Sequence, residues 1–237
     1  MAITTYPDNI NPAAFSIISQ YLLPSLDSGE GPTILEFGCS TGALGEAITR
    51  IYPALKWIGI DYSHNALSVA EKRLTQVHQA DLNNVTVEYL LSLELSPSIL
   101  VMVDVLEHVY DPWTFVQIVK KAFPSSMVLC VLPNISCYQT YDRLSQHEFS
   151  YEEFGIFDKT HKTFYTAKSA LRFFDTFDYT KRIGPLFLPD PMVSSLLSER
   201  IDYPYTFRRG RYSIEIMGRD ELISLCSYGF GFLFEPS

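Results

Sequence analysis

The sequence predicts an α/β fold in which a doubly wound, mostly parallel sheet carries helices on both faces. Three observations lead there. Runs such as Ile34-Leu35-Glu36-Phe37 and Ile99-Leu100-Val101-Met102-Val103 are too short for helices and apolar enough to be buried on both sides of a parallel sheet. Segments with apolar residues at helical spacing alternate with these runs, as successive βα units require. The first run also breaks into a glycine-spaced turn, Gly38-Cys39-Ser40-Thr41-Gly42-Ala43-Leu44-Gly45, that opens a helix.

Taken in order, Asn11-Pro12 starts a helix running to Leu26, and Asp27 to Pro32 ends it with residues that punctuate structure. Residues 1–30 thus form a helical cap. The first strand is Thr33 to Phe37, followed by a helix with Leu44, Ala47, Ile48 and Ile51 as its apolar stripe. Trp57 to Asp61 is the second strand. Ser63 caps a helix whose Ala66, Leu67 and Ala70 share a face with Leu74, and a short strand near Val77 precedes Asp81. The fourth strand ends at Val103. Asp111-Pro112 is a helix start, with Phe115, Ile118, Val119 and Ala122 facing the sheet, and Met127 to Leu132 is the fifth strand.

Residues 133–165 are irregular and aromatic (Tyr138, Tyr141, Phe149, Tyr151, Phe154, Phe157, Phe164 and Tyr165), the composition expected of a substrate lid inserted after strand five. Thr166 caps a helix to Asp175, Tyr179 to Gly184 is strand six, and Leu222 to Phe234 is a seventh, closing strand. Residues 185–220 form an insertion with no assigned element. No repeat or low-complexity segment interrupts the pattern, so a single domain over 1–237 is expected.

Composition narrows the function classes. With 18 Lys+Arg against 27 Asp+Glu the net charge is −9, which disfavours extended contact with phosphate backbones and so disfavours RNA as a partner. The basic cluster Arg208-Arg209-Gly210-Arg211 reads as a solvated loop or an anionic-substrate contact. The first twenty residues lack a basic start and a long apolar core, no run reaches the ~18 apolar residues of a membrane span, and four scattered cysteines have neither zinc-knuckle nor disulfide-scaffold spacing. A reducing cytoplasm is the compartment these features predict; none assigns an oligomeric state.

The run Glu36-x-Gly38-x-Ser40-x-Gly42 resembles the acid-x-Gly-x-Gly-x-Gly signature of class I S-adenosylmethionine-dependent methyltransferases, with Ser40 as the one departure. A second apolar strand ends in Asp61 about 25 residues after Glu36, near the spacing of a ribose-binding carboxylate. Ala80-Asp81-Leu82, Val101 to Val109, Asp111-Pro112-Trp113 and Phe157 to Thr166 extend the likeness. They resemble the subgroup of ubiquinone-biosynthesis O-methyltransferases and related bacterial small-molecule or glycan methyltransferases, over residues 30–180. The resemblance implies a Rossmann-like sheet of seven strands, the last antiparallel. It also implies S-adenosylmethionine as cofactor, its amino-acid tail on Glu36 and the turn Gly38, Ser40, Gly42, its ribose on Asp61, and its adenine near Tyr62, Asp81 and Leu82. The glycine spacing disfavours a nicotinamide enzyme.

Asp104, Glu107 and His108 stand at i, i+3 and i+4, so one helical turn after the fourth strand would gather their side chains on one side. Oxygen and imidazole ligands suit zinc, manganese or iron, with magnesium accommodated if water fills the remaining positions. The ubiquinone-biosynthesis and small-RNA 3′-terminal 2′-O-methyltransferases, which this chain resembles, use an acid-x-x-Glu-His motif and a later histidine as a metal site, and His161 occupies the later position. Asp104 stands where they usually carry Glu. Two other readings stay open: His108 or His161 as a metal-free general base with the acids orienting it, and a purely structural turn. The function expected is methyl transfer to a hydroxyl of a small molecule or glycan building block. Its rivals are N-methylation of an amine and a non-catalytic, cofactor-binding pseudoenzyme.

Overall fold

The computed structural model describes residues 10–22 and 31–237. Asn11 caps α1 (Pro12–Ser16) by accepting the N–H groups of Ala13 and Ala14, and the chain continues as a wider helical turn over Ile17–Leu22. The expected end of that helix at Leu26, and most of the turn after it, lie outside the described residues.

Then follow β1 (Thr33–Phe37), α2 (Ala43–Ile51), β2 (Lys56–Asp61), α3 (His64–Ala70), β3 (Gln76–Gln79), α4 (Val87–Ser92), β4 (Ile99–Val103), α5 (Pro112–Ala122) and β5 (Met127–Pro133). The second half comprises α6 (Tyr138–Ser145), α7 (Ala167–Asp175), β6 (Tyr179–Pro189), α8 (Ser194–Ser198), β7 (Tyr205–Arg209), β8 (Tyr212–Ile216), α9 (Arg219–Leu225) and β9 (Ser227–Pro236). Seven strands form one sheet in the order β3-β2-β1-β4-β5-β9-β6. The first five are mutually parallel, and β9 runs antiparallel to both β5 and β6.

Strand periodicity sorts the core into two layers. Leu35, Phe37, Leu100 and Met102 face one side, where α4, α5 and α7 pack; Ile34, Ile99 and Val101 face the other, against α1, α2 and α3. The caps read from sequence hold: Ser63 accepts the Ala66 N–H, Asp111 that of Thr114, and Thr166 forms a reciprocal box with Ser169.

Four expectations are corrected. Ile51, the last residue of α2, is 53% exposed, and the buried stripe instead uses Leu44, Gly45 and Ile48. Strand six continues past Gly184 to Pro189, because bulges after Lys181 and Ile183 absorb the irregular register around Pro185. Residues 222–225, expected as strand, belong to α9, and the closing strand starts at Ser227. The segment 185–220 holds α8 and the antiparallel β7–β8 hairpin. Tyr138 of α6, Val193, Phe207, Ile216 and Leu222 form a satellite core that joins this segment to the one following β5. Tyr138, Phe157 and Tyr165 are therefore packing residues, whereas Tyr151 and Phe154 are each 59% exposed.

Candidate functional site

The order of the sheet reverses between β1 and β4, and the carboxyl ends of β1, β2 and β4 meet at that switch point, where open α/β sheets form their ligand crevice. After β1 the backbone turns sharply: Gly38 and Cys39 both donate to the Ile60 carbonyl, at 2.7 and 3.1 Å. Gly38 has φ +70°, and a Cβ there would stand 2.7 Å from Val105 Cγ2. Ser40, at φ +48°, adopts the same left-handed region with a side chain, a conformation that disfavours L-residues by roughly 1–2 kcal/mol.

Two carboxylates back the turn. Asp61 at the end of β2 is buried, accepting the Ser40 N–H on Oδ2 at 2.9 Å and the Ser63 N–H on Oδ1 at 2.8 Å. Glu36 is buried on β1 and accepts the indole N–H of Trp57 at 2.8 Å. Burial pushes the Glu36 carboxyl up to about 8, with the Trp57 bond opposing and Asp61 adding to the shift. Beside them Tyr62 lies open, 74% exposed. Asp81 is exposed and bonded within its own loop, to Asn83 through Oδ1 and to Asn84 through Oδ2, and Leu82 is half-buried against the core.

The second group of residues lies beyond β4. Glu107 is 1% exposed, and neither carboxylate oxygen has a hydrogen-bond partner among the described residues. Burial, then the charge of Asp104, raises its carboxyl well above the ordinary range. Its backbone carbonyl accepts the N–H groups of Lys162 at 2.6 Å and Thr163 at 3.3 Å, which pins the distant His161 loop against the turn after β4. Ligand atoms of Glu107, His108 and His161 consequently lie within 4.8 Å of one another. His161 Nδ1 is 3.1 Å from the Ile156 carbonyl, and His108 Nδ1 is 3.0 Å from Thr160 Oγ1. Burial lowers both imidazoles below the usual histidine value, which favours their neutral forms. Burial works against ionisation of the adjacent Asp158, yet Thr160 and the two imidazoles hold its carboxyl below the usual range.

Asp104 does not join this trio. The chain passes through it at φ +52°, so the single helical turn expected from the i, i+3, i+4 spacing does not form, and its Oδ2 accepts from Asn11 Nδ2 at 3.4 Å. Water reaches the Asp104 side chain even though protein atoms crowd round it, and that crowding raises its carboxyl to about 6.

Comparison with known proteins agrees with this architecture. Residues 35–123 match the family described as a methyltransferase domain. A ubiquinone biosynthesis O-methyltransferase of Cereibacter sphaeroides is 26% identical over 130 residues, which cover 51% of this chain and 52% of the relative. The chain thus spans about half the length of that curated relative. A SAM-dependent methyltransferase of Archaeoglobus fulgidus superposes with a TM-score of 0.57 at 14% identity, over 93% of this chain and 92% of its own. The plantazolicin methyltransferase BpumL, solved in complex with SAH, gives 0.56 at 19% identity over 95% and 83%. The methyltransferase-domain match over residues 35–123 and the shared fold together support a class I S-adenosylmethionine-dependent methyltransferase.

Within this fold, Glu36, Gly38, Ser40, Gly42, Asp61 and Tyr62 gather around the β1–β2 edge, and Glu107, His108 and His161 form a separate cluster beyond β4. Sequence reasoning missed the Trp57 indole under Glu36 and the pair Asp158 and Thr160 beside His108. The second was legible as a local pattern, since an Asp two residues before a Thr favours an Asx turn. No helix among the described residues is long and apolar enough to cross a membrane.

Proposed function

We propose that this methyltransferase moves the methyl group of S-adenosylmethionine to a hydroxyl of a small molecule or glycan building block, with Glu107, His108 and His161 facing the acceptor oxygen. The observation that carries this reading is the fully buried Glu107 carboxylate, without a partner among the described residues, beside two neutral imidazoles. A buried carboxylate in that state costs several kcal/mol unless a proton or a cation compensates it. The chemistry of the donor set fits a divalent ion: one carboxylate and two imidazoles suit zinc, manganese or iron, with magnesium accommodated if water completes the shell. When bound, such an ion supplies Lewis-acid activation and a template for neighbouring oxygens.

The chain's own groups would divide the remaining work. Glu36 and the turn Gly38, Ser40, Gly42 would hold the amino-acid tail, Asp61 the ribose hydroxyls, and Tyr62, Asp81 and Leu82 the adenine side. His108 or His161 would accept the hydroxyl proton, and Asp104, at the mouth of the same edge, would orient the acceptor. Residues 133–165 would close over it as a lid. The need for a proton acceptor favours a hydroxyl over an amine, as does the O-methyltransferase relative.

Calorimetry with S-adenosylhomocysteine, elemental analysis of gently purified protein, and turnover of a hydroxyl and amine panel with and without chelator test this reading. Tight S-adenosylhomocysteine binding, a stoichiometric divalent metal and chelator-sensitive hydroxyl methylation are expected. Full activity in excess chelator would remove the ion, and product from amines alone would remove the hydroxyl.

A further inference from the structure

Thr160 has a single hydroxyl proton and two partners competing for it. Asp158 Oδ1 lies 2.6 Å from Thr160 Oγ1 and also accepts the Thr160 N–H at 2.7 Å. An ionised carboxylate can only accept, so the hydroxyl proton is committed to Asp158. His108 Nδ1, 3.0 Å from the same hydroxyl oxygen, is then the donor, and the lone pair of the neutral ring falls on Nε2. His161 reaches the same state by another route: the Ile156 carbonyl can only accept, so His161 Nδ1 carries the proton. Both rings therefore carry an unprotonated Nε2, and they stand with Glu107 in one tight group, their centroids 4.8 Å apart.

We propose that Asp158 and Thr160 are positioning residues that lock His108 in its Nδ1–H tautomer and so aim the Nε2 lone pair at the Glu107 and His161 site. The inference rests on the reading of that site as the place where the acceptor oxygen is activated. The opposite tautomer would present an N–H there, which can neither ligate an ion nor take a proton. Thr160 is exposed, and a hydrogen bond in contact with water adds little to folding, so its removal leaves the scaffold intact.

The test uses full-length protein labelled with 15N-histidine. Long-range proton–nitrogen spectra of the metal-free protein are expected to show His108 as Nδ1–H, Thr160→Val to populate the Nε2–H form, and Thr160→Ser to restore the original. Asp158→Ala, which frees the Thr160 proton to donate to the ring, is expected to produce the same tautomer shift by an independent route. Visible absorption during titration with Co2+ alone should show about tenfold weaker uptake by Thr160→Val and recovery in Thr160→Ser, while S-adenosylhomocysteine affinity stays constant. An unchanged His108 tautomer in Thr160→Val and Asp158→Ala, or a Thr160→Ser protein that behaves like Thr160→Val, overturns the proposal. Tautomer shifts in a protein whose wild type takes up no Co2+ uphold the positioning role and remove only the ion.

Discussion

Ser40 holds Asp61 through its backbone rather than its side chain: its N–H donates to Asp61 Oδ2 at 2.9 Å while the residue sits at φ +48°. The bond requires the left-handed turn, and a glycine makes that turn without a side-chain penalty. Ser40→Gly should therefore keep the bond and raise stability by about 0.5–1 kcal/mol, part of the relieved strain being offset by the freer unfolded chain. A melting point about 1–4 °C higher is expected, with S-adenosylhomocysteine affinity within about twofold. A tenfold weaker complex in calorimetry would instead assign the Ser40 hydroxyl to the ligand.

Glu36 is raised to about 8 from 4.5, so the folded chain keeps a proton that the unfolded chain releases. The stability it contributes is fully present below 4.5 and is lost as pH rises through about 8. A bound ammonium would drive that proton off. At pH 7, calorimetry in buffers of different ionisation enthalpy should find close to one proton released as S-adenosylhomocysteine binds, and close to none with Glu36→Gln. Equal release by both proteins would place the ammonium elsewhere.

Glu107 combines full burial with oxygens that have no partner among the described residues, the signature of a group retained at the expense of stability. Replacement by an apolar side chain of similar volume removes the desolvation penalty. Glu107→Met should unfold at higher urea, by about 1–3 kcal/mol, bind S-adenosylhomocysteine normally and lose methyl transfer. A destabilised variant would mean that Glu107 is a structural anchor.

Gly45 packs where no side chain fits: an added Cβ would stand 2.5 Å from Leu74 Cδ2 and 2.6 Å from Trp57 Cδ1. Gly45→Ala gains helix propensity but overpacks this contact, for a net loss of about 1–3 kcal/mol. Because Trp57 carries the bond to Glu36, the same change should also weaken S-adenosylhomocysteine. Urea unfolding and calorimetry on one preparation read both effects, and a change in neither would show that α2 shifts freely.

The parallel half of the fold was legible because its signals are local and redundant. The unbroken run Ile99 to Val103 admits only a strand buried on both faces, and Ser63, Asp111 and Thr166 each mark a helix start with a side chain that caps it. The β7–β8 hairpin also left a trace, in Tyr205 and Phe207 alternating on one side of Gly210 and Tyr212, Ile214 and Ile216 on the other. The arginines between them drew the reading toward charge instead of period. Asp104 was misplaced for a deeper reason. Spacing at i, i+3 and i+4 gathers side chains only inside a helix, and the left-handed residue that diverts the chain is an aspartate with no glycine to betray it. The His161 loop could be named from sequence, but its attachment to the Glu107 carbonyl is a backbone contact and has no residue signature.

The last strand sets an order of assembly. Since β9 lies between β5 and β6, β6 has no neighbour to pair with among the described residues until 227–236 have been synthesised, however long it has been waiting. The same closure draws in Asn134, whose side-chain amide donates to the carbonyls of Ser224 and Ser227 at 2.8 and 2.9 Å and whose backbone bridges to Tyr165. The histidine loop is thus tethered to the final stretch of sheet, so a partly made chain can carry a complete glycine turn while the loop that bears His161 still lacks that anchor.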